Sequence, residues 1–198
     1  DGKFVYIGTK DYVIIPEYIK GIKVTLTGSI NIYDEATYIF MKRKDIKGVA
    51  FEAPENILSA SYLFLGNQSA QLELKYLDTS YVSYMNSMFY NSHIENINFG
   101  DLNTSNVISM EKMFYYCKAK TISFNGIDTS KVKNMAYMFA FTEAISIDIS
   151  NLNTSSVTNM KSMFQGIKLS KIDLQGFYTS KVEDMSAMFY GLEHEELN

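Results

Sequence analysis

Five threonines, Thr79, Thr104, Thr129, Thr154 and Thr179, recur at intervals of 25 residues, and other series keep the same step. Val82, Val107, Val132, Val157 and Val182 follow it, as do Met85, Met110, Met135, Met160 and Met185. So do the pairs Met88-Phe89, Met113-Phe114, Met138-Phe139, Met163-Phe164 and Met188-Phe189. Further series run through Ile97, Ile122, Ile147 and Ile172, then Phe99, Phe124, Ile149 and Leu174, then Leu102, Ile127, Leu152 and Phe177. A fixed period of this length is the signature of a repeat architecture, in which each unit buries its apolar side only against its neighbours.

Within one unit, Val82, Met85, Met88 and Phe89 sit at i, i+3, i+6 and i+7, the stripe of a short amphipathic helix, with Thr79-Ser80 placed to cap it. Helices are therefore expected to start near Ser80, Ser105, Ser130 and Ser155. Ile97 and Phe99 alternate with Asn96 and Asn98, which predicts a strand with one apolar face, repeated around Ile122, Ile147 and Ile172. A two-turn helix and a four-residue strand cannot offset chain entropy alone, so the units must stack, strand beside parallel strand roughly 4.8 Å apart. The fold class expected is α/β: a right-handed, leucine-rich-repeat-like solenoid of short helix plus parallel strand, with about 25 residues per turn.

Toward the N-terminus, Ile57, Ala60, Leu63-Phe64, Leu72 and Leu74 keep the columns while Pro54 replaces the threonine, so 54–76 is a degenerate copy. Val24-Thr25-Leu26 and Val49-Ala50-Phe51 look like strands one period apart, with Tyr38 to Met41 as a helix between them. Residues 1–53 are thus expected to be divergent turns acting as a cap, and 54–198 one continuous solenoid whose last copy is truncated. Leu197 would fall in the isoleucine column, and the open last turn makes end-to-end self-association an expected contact.

The run from Leu152 through Thr154-Ser155-Ser156-Val157 to Met160, Met163 and Phe164 resembles the short leucine-rich-type repeat of bacterial surface proteins and mycoplasma-type lipoproteins. The opening, Tyr12 to Glu17 with Gly21 to Thr25, is similar to the start of BspA-type leucine-rich repeats. The resemblance implies a secreted or cell-surface protein, an adhesin or host-interaction module, with no catalytic residues to carry over. The usual asparagine ladder is replaced by Leu102, Ile127, Leu152 and Phe177, with Asp78, Asn103, Asp128 and Asn153 one place later in the repeat, so the turn must close differently.

Composition narrows the function. A formal net charge of −4 and one small basic cluster, Lys42-Arg43-Lys44 with Lys47, argue against nucleic acid as a partner. No apolar run reaches the roughly 20 residues of a membrane span. The single cysteine, Cys117, permits no internal disulfide and no thiol-ligated zinc site. One arginine against 17 lysines, with abundant Asn, Ile, Tyr and Phe, follows AT-rich codons and points to a low-GC bacterium. The two histidines, His93 and His194, stand outside the period and lack partners in the sequence, and no nucleophile-elbow, phosphate-loop or calcium-loop pattern occurs. No cofactor, metal or catalytic residue is expected, and the methionine columns read as core filler.

The function expected is a non-enzymatic surface module binding a protein or glycan. Its contact surface would be the outward strand face, in two columns: Gln71, Asn96, Thr121, Ser146 and Lys171, and Glu73, Asn98, Ser123, Asp148 and Asp173. A second candidate is the aromatic set Tyr90, Tyr115, Tyr116, Phe141 and Tyr190. The alternative is a spacer segment whose repeats extend a larger surface protein.

Overall fold

In a computed structural model of the chain, residues 12–15, 18–19, 22–23, 48–52, 54–100 and 102–197 are described. Strands β1 (Tyr12–Ile15) and β4 (Gly48–Phe51) pair in parallel, and β2 (Tyr18–Ile19) and β3 (Ile22–Lys23) form a short antiparallel pair. Next come β5 (Asn96–Asn98), β6 (Thr121–Ser123) and β7 (Ser146–Asp148), one three-stranded parallel sheet in register, Ile97 opposite Ile122 opposite Ile147. A last parallel pair joins β8 (Lys168–Ile172) to β9 (Glu193–Leu197), with Ile172 opposite Leu197. Gly48 bridges in parallel to Glu73, and a second parallel ladder runs Ser59, Tyr84, Ser109, Asn134, Asn159, Asp184. Except between β1 and β4, each parallel partner lies one repeat, 25 residues, along the chain.

One sequence expectation needs correcting. The short helices after Thr79-Ser80 and its equivalents are absent: among the described residues the only helical piece is a 3-10 turn at Pro54–Asn56. The segment 85–92 instead makes successive i→i+3 turns, with Met88, Tyr90 and Ser92 N–H donating to the carbonyls of Met85, Ser87 and Phe89. The intervening N–H groups of Met85, Ser87, Phe89 and Asn91 donate to the next copy, to the carbonyls of Ser109, Glu111, Met113 and Tyr115, at 2.8–3.0 Å. Half of the amides that a helix would use internally are therefore spent between copies. The turns require the left-handed region, and Ser87 (φ 54°) and Asn91 (φ 51°) occupy it, as do their equivalents Lys112, Tyr116, Tyr137 and Phe141. The turns start every two residues, yet the side chains they bury, Val82, Met85, Met88 and Phe89, keep the spacing of a helix stripe, so the apolar spacing alone does not separate the two.

Toward the N-terminus β4 pairs with β1, Tyr12 opposite Gly48. Residues 24–26, the expected helix at 38–41 and most of the expected cap lie outside the described residues.

The core is built from the repeated columns. Val82, Met85, Met88 and Phe89, and their equivalents through Phe164, are wholly buried. Phe64, Phe89, Phe114, Phe139, Phe164 and Phe189 stack face to face in one line, centroids 5.4–5.8 Å apart. Phe99 and Phe124 stack beside them and meet Phe89, Phe114 and Phe139 edge-on. The methionines are core, filling the space between rings.

The threonines have a different task from helix capping. Each buried hydroxyl spans to the following copy: Thr129 Oγ1 donates to the carbonyl of Asn153 at 3.0 Å and accepts from the N–H of Asn153 at 2.8 Å. Thr104 and Thr154 do the same with Asp128 and Tyr178, and Thr79 donates to Asn103. A hydroxyl can both give and accept, so one side chain satisfies both backbone groups of a residue 24 places on. Pro54 keeps the local turn, accepting from Ile57 at 2.9 Å, but brings no hydroxyl.

Candidate functional site

Asn96, Thr121, Ser146, Asn98, Asp148 and Asp173 are exposed and Glu73 and Ser123 are half-buried, while Ile97, Ile122 and Ile172 turn inward. The two polar columns differ in what their side chains do. In the second column every member from Asn98 onward closes a turn: Asn98 Oδ1, Ser123 Oγ, Asp148 Oδ1 and Asp173 Oδ1 accept from the N–H two residues later, at 3.0–3.4 Å. Asp148 also accepts from the Ser150 hydroxyl at 2.7 Å, and the Ser150 hydroxyl and N–H hold its carboxyl below the ordinary carboxylate value. These atoms maintain the chain's own geometry. In the first column Thr121 donates to Asn96 Oδ1 at 2.6 Å, while Gln71 and Ser146 are exposed; the side chain of Lys171 lies outside the described residues.

Asp78, Asn103, Asp128 and Asn153 answer how the turn closes without an asparagine ladder. Each Oδ1 accepts from the N–H of the serine two places on, at 2.9–3.1 Å. The Ser130 hydroxyl first, and its N–H second, keep the Asp128 carboxyl below the ordinary carboxylate value.

The aromatic corner is assembled by the left-handed turns. Tyr90 stacks on Tyr115 at 5.2 Å, Tyr116 stacks on Phe141 at 5.0 Å, and Tyr115 meets Tyr116 and Phe141 edge-on at 4.7 and 5.6 Å. Tyr116 is 46% exposed and the others are partly buried, so the cluster is open to solvent along one side. Burial foremost, with Tyr116 and Tyr90 adding, raises the Tyr115 phenol above its ordinary value. A Cβ on Gly166 would come within 2.5 Å of the Phe141 ring, so that ring lies across the one residue type that leaves it room. Gly166 has φ +62° and occupies the same column as Asn91, Tyr116 and Phe141.

Sequence reasoning missed one member and included one stranger. Tyr137, from a neighbouring column, joins through Tyr115 at 6.2 Å and carries Lys112 over its face at 5.5 Å. Its own φ of +57° aims it there, and a column of Tyr62, Ser87, Lys112 and Tyr137 read as helix surface gives no such signal. Tyr190, 71% exposed, makes no ring contact with the cluster among the described residues, because Ala140 and Gln165 fill its column in between.

Cys117 is fully buried with its Sγ 3.3 Å from Ser92 Oγ, and burial pushes its thiol up. His93 is half-buried in its turn, its N–H donating to the Asn67 carbonyl, and His194 stands in β9 opposite Leu169. Among the described residues no three metal-ligating side chains gather, and no helix is long and apolar enough to cross a membrane.

The family model of a Mycoplasma protein of unknown function, DUF285, matches residues 35–140 and again 119–196. The chain belongs to this family. The two overlapping matches together cover residues 35–196, which include the whole run of regular copies. DUF285 is a Mycoplasma family, in accord with the low-GC bacterial source that the codon preferences indicate. No curated protein and no solved structure matches the chain.

Proposed function

We propose that this chain is a non-enzymatic binding module of a bacterial surface protein, folded as a right-handed, BspA-like solenoid, and that its contact surface is the aromatic corner. The observation that carries the reading is the cluster of Tyr90, Tyr115, Tyr116, Tyr137 and Phe141, five rings drawn from three copies into one solvent-open patch. Tyrosine offers a flat apolar face and a polar tip at low entropic cost, which suits a protein or glycan partner. The strand face carries less weight as a contact surface, since its second column is committed to turns. That commitment also favours the spacer reading as the alternative.

The test is a binding screen against immobilised matrix proteins and glycans, repeated with Tyr90→Ala plus Tyr116→Gly and with Asn96→Lys plus Ser146→Lys. Glycine at 116 relieves its φ of 55°, which separates loss of the ring from loss of the turn. The aromatic variant is expected to lose at least about tenfold in affinity, the size of a hot-spot loss. Loss with the strand-face variant alone would return the site to the strand face, and no binding anywhere would support the spacer.

A further inference from the structure

The aromatic corner packs phenols against phenols, and that gives it a chemistry which binding a partner does not use. Tyr115 is at its centre. Tyr90 of the preceding copy stacks on it at 5.2 Å, inclined by 27°, while Tyr116 stands edge-on at 4.7 Å and Tyr137 edge-on at 6.2 Å. Burial first, and then the phenols of Tyr116 and Tyr90, raise the Tyr115 phenol, so the oxygens stand near one another as well as the rings. Tyr116, 46% exposed, opens the group to water. Other exposed tyrosines stand alone: Tyr81, Tyr178 and Tyr190 are 50%, 64% and 71% exposed and meet no second tyrosine ring among the described residues.

Phenols held this close couple when they are oxidised, because each phenoxyl radical carries spin on the ring carbons beside its oxygen. Tyr90 and Tyr115 hold the same position in successive copies, so a tilt of the two stacked rings brings those carbons together. Tyr116 is nearer to Tyr115, but it stands at 88° and would have to leave its stack on Phe141, 5.0 Å away. We propose that Tyr90 and Tyr115 form an oxidative cross-linking site, at which hydrogen peroxide used by a peroxidase joins two successive copies through a dityrosine bond. Each phenol gives up one hydrogen atom, and the two radicals join carbon to carbon. The hydrogens displaced from those carbons move to the oxygens, and the peroxide is reduced to two molecules of water. The bond closes a loop of one repeat and ties together copies otherwise held by hydrogen bonds and packing. The site needs only the ring geometry, so a corner that binds no partner still carries it.

The experiment treats the chain at submicromolar concentration with hydrogen peroxide and a peroxidase, isolates the monomer by size, and reads dityrosine emission, which no tryptophan obscures. Trypsin then cuts after Lys75, Lys112 and Lys118, parting residues 76–112, with Tyr90, from residues 113–118, with Tyr115 and Tyr116. The expected product is these two peptides joined, two hydrogens lighter than their sum, with fragmentation placing the bond at Tyr90 and Tyr115. The treated monomer is also expected to melt at a higher temperature. Tyr90→Phe and Tyr115→Phe keep the rings and are each expected to lose both the joined product and the rise in melting temperature. Tyr81→Phe with Tyr178→Phe is expected to retain both. A monomer without dityrosine, dityrosine confined to dimers, a bond within residues 113–118, or a joined product that survives Tyr115→Phe would each overturn the proposal.

Discussion

Residues 129–153 and 179–193 carry the same columns yet sit in different environments. Phe139 stacks between Phe114 and Phe164 and is fully buried, whereas Phe189 has one stacking partner and is 37% exposed. Thr129 binds both backbone groups of Asn153, whereas Thr179 is exposed. An identical residue in an identical local turn is core or surface according to whether another copy covers it among the described residues. In a stack of repeats, stability is approximately a sum of terms within each copy and terms at the junctions between neighbouring copies.

The largest expected difference between the two regions is at the phenylalanines. Phe139→Ala opens a cavity flanked by two copies and should cost about 3–5 kcal/mol. Phe189→Ala removes a half-open ring and should cost roughly 1 kcal/mol, by scaling the same transfer energy to its smaller buried area. Denaturant midpoints measure both, and equal shifts would break the comparison.

The threonines come next. Thr129→Val keeps the shape but leaves the part-buried N–H and carbonyl of Asn153 without their partner, a cost of about 1 kcal/mol. Thr179→Val, exposed, should stay within about 0.5 kcal/mol of the parent. A comparable loss at both positions would mean that the hydroxyl acts within its own turn, as a cap.

The smallest effect should not distinguish the regions at all. Asp128 in an inner copy and Asp184 in the last are held below their ordinary value of 3.8 by Ser130 and Ser186, through the hydroxyl first and the N–H second. A carboxyl with a lowered folded-state pKa adds stability above its unfolded value, and that part is lost as pH falls below about 3.8 and through the folded value. Asp128→Asn should leave neutral-pH stability nearly unchanged, since Asn103 and Asn153 close the same turn, and should flatten the acid side of the stability curve. Asp184→Asn should do the same. Thermal midpoints from pH 7 down to about 2.5 would show it, and an effect confined to the inner residue would tie these turns to stacking after all.

Much of this was legible in the sequence. The columns named the core residues, and alternation around Ile97, Ile122 and Ile147 marked the strands, because a side chain facing in or out of a strand is fixed by period two. The turns were not legible as turns. Met85, Met88 and Phe89 keep a spacing that a helix stripe and a series of i→i+3 turns share. Gly66, Gly166 and Gly191, one column with φ near +60°, do not separate the two either, because a short helix ending there would also take a left-handed glycine just past its last turn. Asn98 and Asp148 are exposed as alternation expects, yet alternation reports where such a side chain points and not that its oxygen closes its own turn. The aromatic corner was legible as five residues, yet its grouping depends on left-handed backbone at Tyr116, Tyr137 and Phe141, and so Tyr137 was overlooked and Tyr190 included.

Residue-resolved amide hydrogen exchange tests the central claim most directly, taken at a concentration and salt where the chain is monomeric. If alternate amides are spent between copies, then Met110, Lys112, Phe114, Met135, Tyr137 and Phe139 are strongly protected. Met185, Ala187, Phe189 and Gly191, in the same turns but without a following copy among the described residues, should exchange at rates close to those of an unfolded chain. Equal protection of the two sets, or a helical pattern in which every amide from Met88 to Ser92 and its equivalents is protected regardless of copy, would contradict it.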